Sequence, residues 1–295
     1  MLIHEACRNS CRTDGPFISL EFFPPRRPEL MPKLLESAEK LKTLQPLFAA
    51  VTCGAGGGGA TGTLETAAKL SDILGFTVMP HLTCVHHTPE SAREAVRALK
   101  GMGIRNALAV RGDLPEGMDA APEELRHATD LVTIIRQEAP EMAVGVAAYP
   151  DIHPESETAQ HDVEMLKFKL DNAEFGVTQL FFDNRRYFDL VERLEGMGCA
   201  KPIIPGVLPI RSLGQIRRLM TLCSTPIPGD LLSSIEKAHE QGGDEAVREL
   251  GLNHAARQLR DLAANGAPGI HLYPFNQAEL CLELAQRAGL LSQSP

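Results

Sequence analysis

Phe76-Thr77-Val78-Met79-Pro80-His81-Leu82-Thr83, then Thr88-Pro89-Glu90, then Leu99-Lys100-Gly101, then Asn106-Ala107-Leu108-Ala109-Val110: this stretch decides the fold. The first and last runs are short, apolar and rich in β-formers, as buried strands should be. Between them Thr88 supplies a cap, Pro89 stands at the first helical position, Glu90 gives an acidic first turn and Gly101 a stop. A strand, a helix and a second strand joined this way form a parallel crossover unit.

The same alternation runs through the chain. Further apolar runs lie at Phe17–Phe23, Phe48–Thr52, Ala143–Tyr149, Val177–Phe182, Ile203–Leu208 and Gly269–Tyr273. With the two above they make eight βα units, which close most economically into a (β/α)8 barrel of TIM type. Leu34, Ala38 and Leu41 build one apolar stripe on the helix between Pro28 and Leu44. The interval between the seventh and eighth runs is too long for one helix, and Pro228–Glu240 and Asp244–Asn265 are predicted as extra helices there. No linker or charge block divides the chain. The expected organisation is an N-terminal extension over residues 1–16 and a single barrel over 17–295.

Length and composition agree. The chain has 295 residues, 43% of them hydrophobic and 23% charged, the make-up of a globular protein. With 29 Lys+Arg against 38 Asp+Glu the formal charge is −9, which argues against nucleic acid or an anionic membrane surface as partner. No apolar run has the length of a membrane span, and Met1–Pro16 has no apolar core of a signal peptide. Seven cysteines without CxxC spacing read as reduced cytoplasmic thiols, with neither a disulfide framework nor a metal site.

A barrel's active site lies at the C-terminal ends of its strands. Those positions hold Glu21, Thr52, His81, Arg111-Gly112-Asp113, Tyr149 with His153, Gln179 with Asp183, and Tyr273. Glu21 precedes Phe22-Phe23-Pro24-Pro25; among aromatics its carboxyl should be desolvated and its pKa raised, as a general acid requires. The alternative is a strand-end salt bridge. At Gly112 the backbone either approaches a ligand closely, with Asp113 pointing into the mouth, or forms an ordinary turn with an Arg111–Asp113 pair. Gly54–Gly59 formally matches GxGxxG, but the next strand does not end in the acidic residue a dinucleotide fingerprint needs. It reads instead as a flexible loop over the mouth. His86-His87 has no partners at ligand spacing and reads as a solvated helix start. Asp162 and Lys169 share one face of a helix over Glu157–Asn172, which either holds a cofactor's polar tail or is merely solvated.

Together, Glu21-Phe22-Phe23-Pro24-Pro25, Val51-Thr52-Cys53-Gly54-Ala55, Pro80-His81-Leu82-Thr83-Cys84, Arg111-Gly112-Asp113-Leu114-Pro115, Ala147-Ala148-Tyr149-Pro150 with His153-Pro154-Glu155, Thr178-Gln179-Leu180-Phe181-Phe182-Asp183 and Pro205-Gly206-Val207-Leu208-Pro209 resemble the bacterial 5,10-methylenetetrahydrofolate reductases. The resemblance runs in order from about residue 17 to residue 290. It implies a barrel that holds FAD non-covalently, takes hydride from NADH or NADPH and passes it to 5,10-methylenetetrahydrofolate, giving 5-methyltetrahydrofolate. Such an enzyme feeds methyl groups to methionine synthesis or another one-carbon route.

By the same resemblance Glu21 is the general acid that assists opening of the folate's five-membered ring. Asp113 lies near flavin and pterin, and Gln179 and Gln215 contact the folate or nicotinamide. Thr52, Cys53, Ala55, His81, Arg111, Gly112, Ala128, Tyr149, His153, Asp162 and Lys169 fall on flavin-contact positions. Three residues depart from the family pattern: Cys53 stands where many members have Tyr, Leu219 where some have a Phe against the ligand, and Gln277 where some have an Arg that reaches the substrate tail. No counterpart of the eukaryotic C-terminal regulatory domain is expected, nor inhibition by S-adenosylmethionine. A homo-oligomer is implied. The rival readings are a folate- and flavin-binding barrel reduced by a protein donor, and a non-catalytic barrel subunit.

Overall fold

The computed structural model describes residues 1–10, 15–53, 59–114, 121–153, 155–222 and 225–291. Among the described residues nine parallel strands form one sheet: β1 (Phe17–Phe22), β2 (Phe48–Val51), β3 (Val78–Thr83), β4 (Asn106–Val110), β5 (Ala143–Ala148), β6 (Phe175–Thr178), β7 (Ile203–Ile204), β8 (Gly206–Val207) and β9 (Gly269–Leu272). The order is β7-β6-β5-β4-β3-β2-β1-β9-β8. β7 and β8 are two halves of the seventh predicted strand, interrupted at Pro205, which has no N–H for the ladder. One half pairs with β6 (Gly176 opposite Ile203) and the other with β9 (Gly206 opposite His271). The sheet therefore wraps into a nearly closed TIM-like barrel.

The predicted sixth strand is displaced. It covers Phe175–Thr178, not Val177–Phe182. Leu180, Phe181 and Phe182 are buried as expected of a strand, but their carbonyls are bonded by side chains and not by a ladder. Thr225 Oγ1 meets the first at 3.5 Å, Gln258 Nε2 the second at 3.2 Å and His254 Nε2 the third at 3.2 Å. An apolar run alone does not distinguish these two environments.

Helices α1 (Ile3–Ser10), α2 (Met31–Leu41), α3 (Gly59–Leu74), α4 (Pro89–Gly101), α5 (Ala128–Glu138), α6 (Ala159–Asp171), α7 (Asn184–Gly196), α8 (Leu213–Leu222), α9 (Gly229–Ala264) and α10 (Ala278–Ala288) complete the fold. On α2 the stripe Leu34, Ala38, Leu41 is buried. Thr88 caps α4 through the Ser91 N–H at 3.2 Å, an arrangement worth about 1 kcal/mol. The stop is not Gly101, which is still helical, but Gly103 (φ 73). Its N–H reaches Lys100 O at 3.0 Å and that of Ile104 reaches Leu99 O at 2.9 Å, the paired closure of a helix end that favours glycine. The two predicted extra helices are the halves of α9, broken where Gly242 and Gly243 leave helical geometry.

Strand alternation sorts the core into layers. Ile18, Leu20 and Phe22 pack outward among the helices. Inside the barrel Phe48, Ala50, Met79, Leu108, Phe175, Val177 and Ile204 fill its N-terminal end. Residues 1–10 belong to this plug: Ile3 and Cys7 of α1 are fully buried in the same cluster. The Ile3 N–H donates to Asn106 Oδ1 at 2.9 Å and Asn106 Nδ2 to Met1 O at 3.1 Å. That end is packed largely with apolar side chains, and the polar strand-end residues lie at the other.

Candidate active site

Glu21 lies inside the barrel near its C-terminal end, 8% exposed. The burial is as expected; the neighbours are not. Phe22 points to the opposite face of the strand, against Phe76, and Phe23 stacks on Phe275 at 5.4 Å. Residues adjacent in a strand do not share a face. Two imidazoles face the carboxyl: His81 Nε2 and His271 Nε2 each lie 3.6 Å from Glu21 Oε2.

The His271 ring is held in place. His271 is fully buried, stacks on Phe48 at 5.9 Å, meets Tyr273 edge-on at 5.2 Å and has Nδ1 2.9 Å from Ser19 Oγ. Tyr273 in turn donates to Thr178 O at 2.8 Å. Ser19 Oγ also faces Ile270 O at 3.4 Å. When the serine donates there, Nδ1 of His271 carries the proton and Nε2 offers a lone pair toward Glu21; when the serine donates to Nδ1, Nε2–H faces it instead. Either proton state of the carboxyl therefore finds a matching histidine tautomer. Burial lowers the pKa of His81, partly offset by the charge of Glu21. The arrangement is a protected site for holding or releasing one proton.

Polar atoms without partners line the same end. Thr52 Oγ1, Gln215 Nε2 and the Nε2 atoms of both His81 and His271 are buried without a hydrogen bond, although the Thr52 backbone is fixed by its N–H to Phe22 O at 3.0 Å and by Thr63 Oγ1 at 2.8 Å. Buried polar atoms normally find partners, and an orphan at a cleft invites a ligand. Cys53 Sγ accepts from Thr83 Oγ1 at 3.4 Å.

Arg111 does not pair with Asp113. It reaches Glu155 Oε2 at 2.5 Å, while Asp113 is exposed beyond the end of β4. Gly112 has φ +84, and a Cβ there would stand 2.7 Å from Val85 Cγ2, so the close approach it permits is to the end of β3. Tyr149 and His153 meet edge-on at 4.6 Å. The His153 N–H and the Ser156 hydroxyl both donate to Asp162, at 3.3 and 2.7 Å. Lys169, on the same face of α6, donates to Ala147 O at 2.8 Å, and burial lowers its pKa to about 8. Asp162 and Lys169 are both half-buried and hydrogen-bonded, so that face is only partly solvated.

Gln179 Oε1 accepts from the Leu180 N–H at 2.9 Å and Gln215 Oε1 from the Arg211 N–H at 2.8 Å, leaving the amide NH2 groups as donors. Gln277 is exposed and bonded to Arg211 at 3.0 Å. Leu219 is buried with Leu180, Phe182 and Ile216. Ala128 opens α5, and Ala55 with the glycine loop 54–58 lies outside the described residues. His86 is exposed, with Nδ1 3.0 Å from Thr83 Oγ1. His87 departs from a solvated helix start: it is buried, its Nδ1 3.1 Å from Ser91 Oγ.

Sequence reasoning passed over His271, Ser19 and Arg211. The first two carried a signal in parity: Ser19 shares the inward face with Glu21, and the register sets it opposite His271. Among the described residues no group of three or more potential metal ligands occurs, and no helix is long and apolar enough to cross a membrane.

A TIM-like barrel with a buried acid between two histidines, ringed by polar groups at its strand ends, has the architecture of a barrel enzyme. The family described as methylenetetrahydrofolate reductase matches residues 6–289. The chain is 35% identical over 278 residues to the 5,10-methylenetetrahydrofolate reductase of Escherichia coli (strain K12), covering 92% of each. It is 33% identical over 290 residues to methylenetetrahydrofolate reductase (NADH) 1 of Arabidopsis thaliana, covering 94% of this chain and 49% of that one. The chain belongs to the methylenetetrahydrofolate reductase family.

Solved structures agree on the fold. A protein from Clostridium thermocellum that binds two copies of 5-methyl-5,6,7,8-tetrahydrofolic acid has a TM-score of 0.67 at 13% identity, covering 98% of this chain and 99% of that one. Tryptophan synthase from M. tuberculosis gives 0.55 at 14%, covering 99% and 97%. At such identities the likeness is one of fold alone.

Proposed function

We propose that the chain reduces 5,10-methylenetetrahydrofolate to 5-methyltetrahydrofolate with NADH or NADPH, through a non-covalently held FAD. The observation that carries this reading is the Glu21 carboxyl, buried between His81 and His271 at the open end of the barrel. Ring opening of the substrate needs a proton delivered to the departing nitrogen. A buried, positioned acid is worth about 10²–10⁴-fold in such a step.

The donor set fits the cofactor. Thr52 Oγ1 and His81 Nε2 are buried without a hydrogen bond, and Lys169 is a half-buried cation that donates to the Ala147 carbonyl. Thr52, Cys53, Ala55, His81, Arg111, Gly112, Ala128, Tyr149, His153, Asp162 and Lys169 would hold it. Bound FAD supplies a carrier that accepts hydride from the nicotinamide and delivers it to the folate.

The remaining work falls to the chain. Glu21 holds the proton and releases it to the ring nitrogen as the C–N bond opens. His271 is placed to return a proton to the carboxyl afterwards. Asp113, at the mouth, places a negative charge that favours the cationic folate species. The NH2 groups of Gln179 and Gln215 orient a flat heterocycle by hydrogen bonding to its edge. The same reading expects a cytoplasmic homo-oligomer.

The test is an anaerobic visible spectrum titrated with NADH, then NADPH, then methylenetetrahydrofolate. Bleaching of a flavin band by nicotinamide and its return on adding folate support the reading. A yellow protein that neither nucleotide bleaches favours a protein electron donor, and a colourless one that takes up no FAD overturns it.

A further inference from the structure

The rim between the ends of β8, β9 and β1 carries a cation that meets no carboxylate within salt-bridge distance among the described residues. Arg211 follows β8 and is half-buried. Its Nη1 donates to Gln277 Oε1 at 3.0 Å, and its guanidinium lies over the Phe275 ring at 5.4 Å. An amide on one edge and an aromatic face beneath fix the plane of the fork while leaving further N–H groups to donate.

The support beneath it is strained and over-determined. Phe275 and Asn276 both have positive φ, 48° and 58°, a conformation that non-glycine residues adopt in succession only when held. Here Asn276 bonds both backbone groups of Phe23, accepting from its N–H at 3.0 Å and donating to its carbonyl at 2.8 Å. Phe23 stacks on Phe275 in nearly parallel planes, 7° apart. Beside Arg211, and bonded to its N–H, stands Gln215 with its buried, unpartnered Nε2. A charged fork, a rigid shelf and an orphan donor converge where a ligand would leave the mouth.

We propose that Arg211 is a binding residue of this site, anchoring an anionic group of the ligand whose reacting ring lies deeper in the barrel. The proposal rests on the function proposed above. The chemistry is that of a carboxylate or a phosphate, both of which match the guanidinium fork. Two sources present such a group at this mouth: the glutamyl tail of the folate and the phosphates of the nicotinamide nucleotide.

Steady-state kinetics of the FAD-loaded enzyme separate them. Arg211→Gln removes the charge and keeps a polar side chain; Arg211→Lys keeps the charge and loses the fork. A charge-assisted bond lost at a partly buried site corresponds to about a tenfold change in KM or more. A rise of that size in the folate KM of Arg211→Gln, with kcat and the NADH KM little changed and part of the affinity kept in Arg211→Lys, identifies the glutamyl carboxylates. A rise confined to the NADH or NADPH KM identifies the nucleotide phosphates. Unchanged KM values for both ligands overturn the proposal. So does equal loss in both variants together with a lowered Tm, which marks a structural role. A wild-type enzyme that turns over no folate fails the underlying reading, and the wild-type rate tells that failure from the others.

Discussion

His271 and Glu21 face each other from adjacent parallel strands, with Nε2 of the one 3.6 Å from Oε2 of the other. Behind the imidazole stands Ser19, and beneath it Phe48. The Glu21 carboxyl therefore faces a ring held by its own contacts. Replacing His271 by Gln keeps a polar group of similar reach and removes the second nitrogen. It should lower kcat for folate reduction by about 10²-fold, within the range for a proton-transfer partner, and move a limb of the pH–rate profile. Reduction of the flavin by NADH should be spared. An unchanged profile would make the contact purely structural.

Lys169 gives a prediction in protein stability. Its pKa falls from 10.5 to about 8 because it is buried. Between those two pH values the unfolded chain binds the extra proton and the folded protein does not, so stability rises as pH rises through the window. Below about pH 8 the burial penalty is present in full. Lys169→Met should stabilise the FAD-free protein at neutral pH by about 1–3 kcal/mol and weaken FAD binding. Urea unfolding across pH 7–10.5 checks both the sign and the fading of the difference at the alkaline end.

His81, His87, His153 and His254 act with the same sign at lower pH. Burial is the first cause in each, and each pKa is lowered. Below about pH 6.5, the ordinary histidine value, the unfolded chain takes up protons that the folded protein refuses. Stability should therefore fall as pH falls below that point. The effect should show as a drop in Tm between pH 7.5 and 5 that is shallower in His87→Gln.

Gly112→Ala combines a left-handed backbone with a methyl group set 2.7 Å from Val85 Cγ2. The cost should be about 1–3 kcal/mol, read by thermal unfolding. Folate reduction should fall with it, because Asp113 is carried on the displaced turn.

Much of this barrel was legible because buried parallel strands are apolar on both faces and their helices carry caps and stops. Thr88 and the α2 stripe are direct examples. The sixth strand was misplaced because Leu180–Phe182 is apolar for a different reason: it packs beneath α8 and α9 while side chains satisfy its carbonyls. In the site, Glu21 was legible as a lone acid in an apolar run. Its setting was not, since the imidazoles that meet it come from β3 and β9, and only strand register brings them together. Lys169 could be assigned a face but not a depth. Arg211 was invisible because its meaning lies in Gln277 and Phe275, far along the chain and adjacent only across the mouth.

The central claim is that Glu21 supplies the proton for folate reduction and nothing to the reduction of flavin. Anaerobic stopped-flow measurement of the two half-reactions in Glu21→Gln tests it most directly. The account predicts NADH reduction of the flavin at close to the wild-type rate, and reoxidation by methylenetetrahydrofolate slowed by about 10³-fold. Wild-type rates in both half-reactions would contradict it.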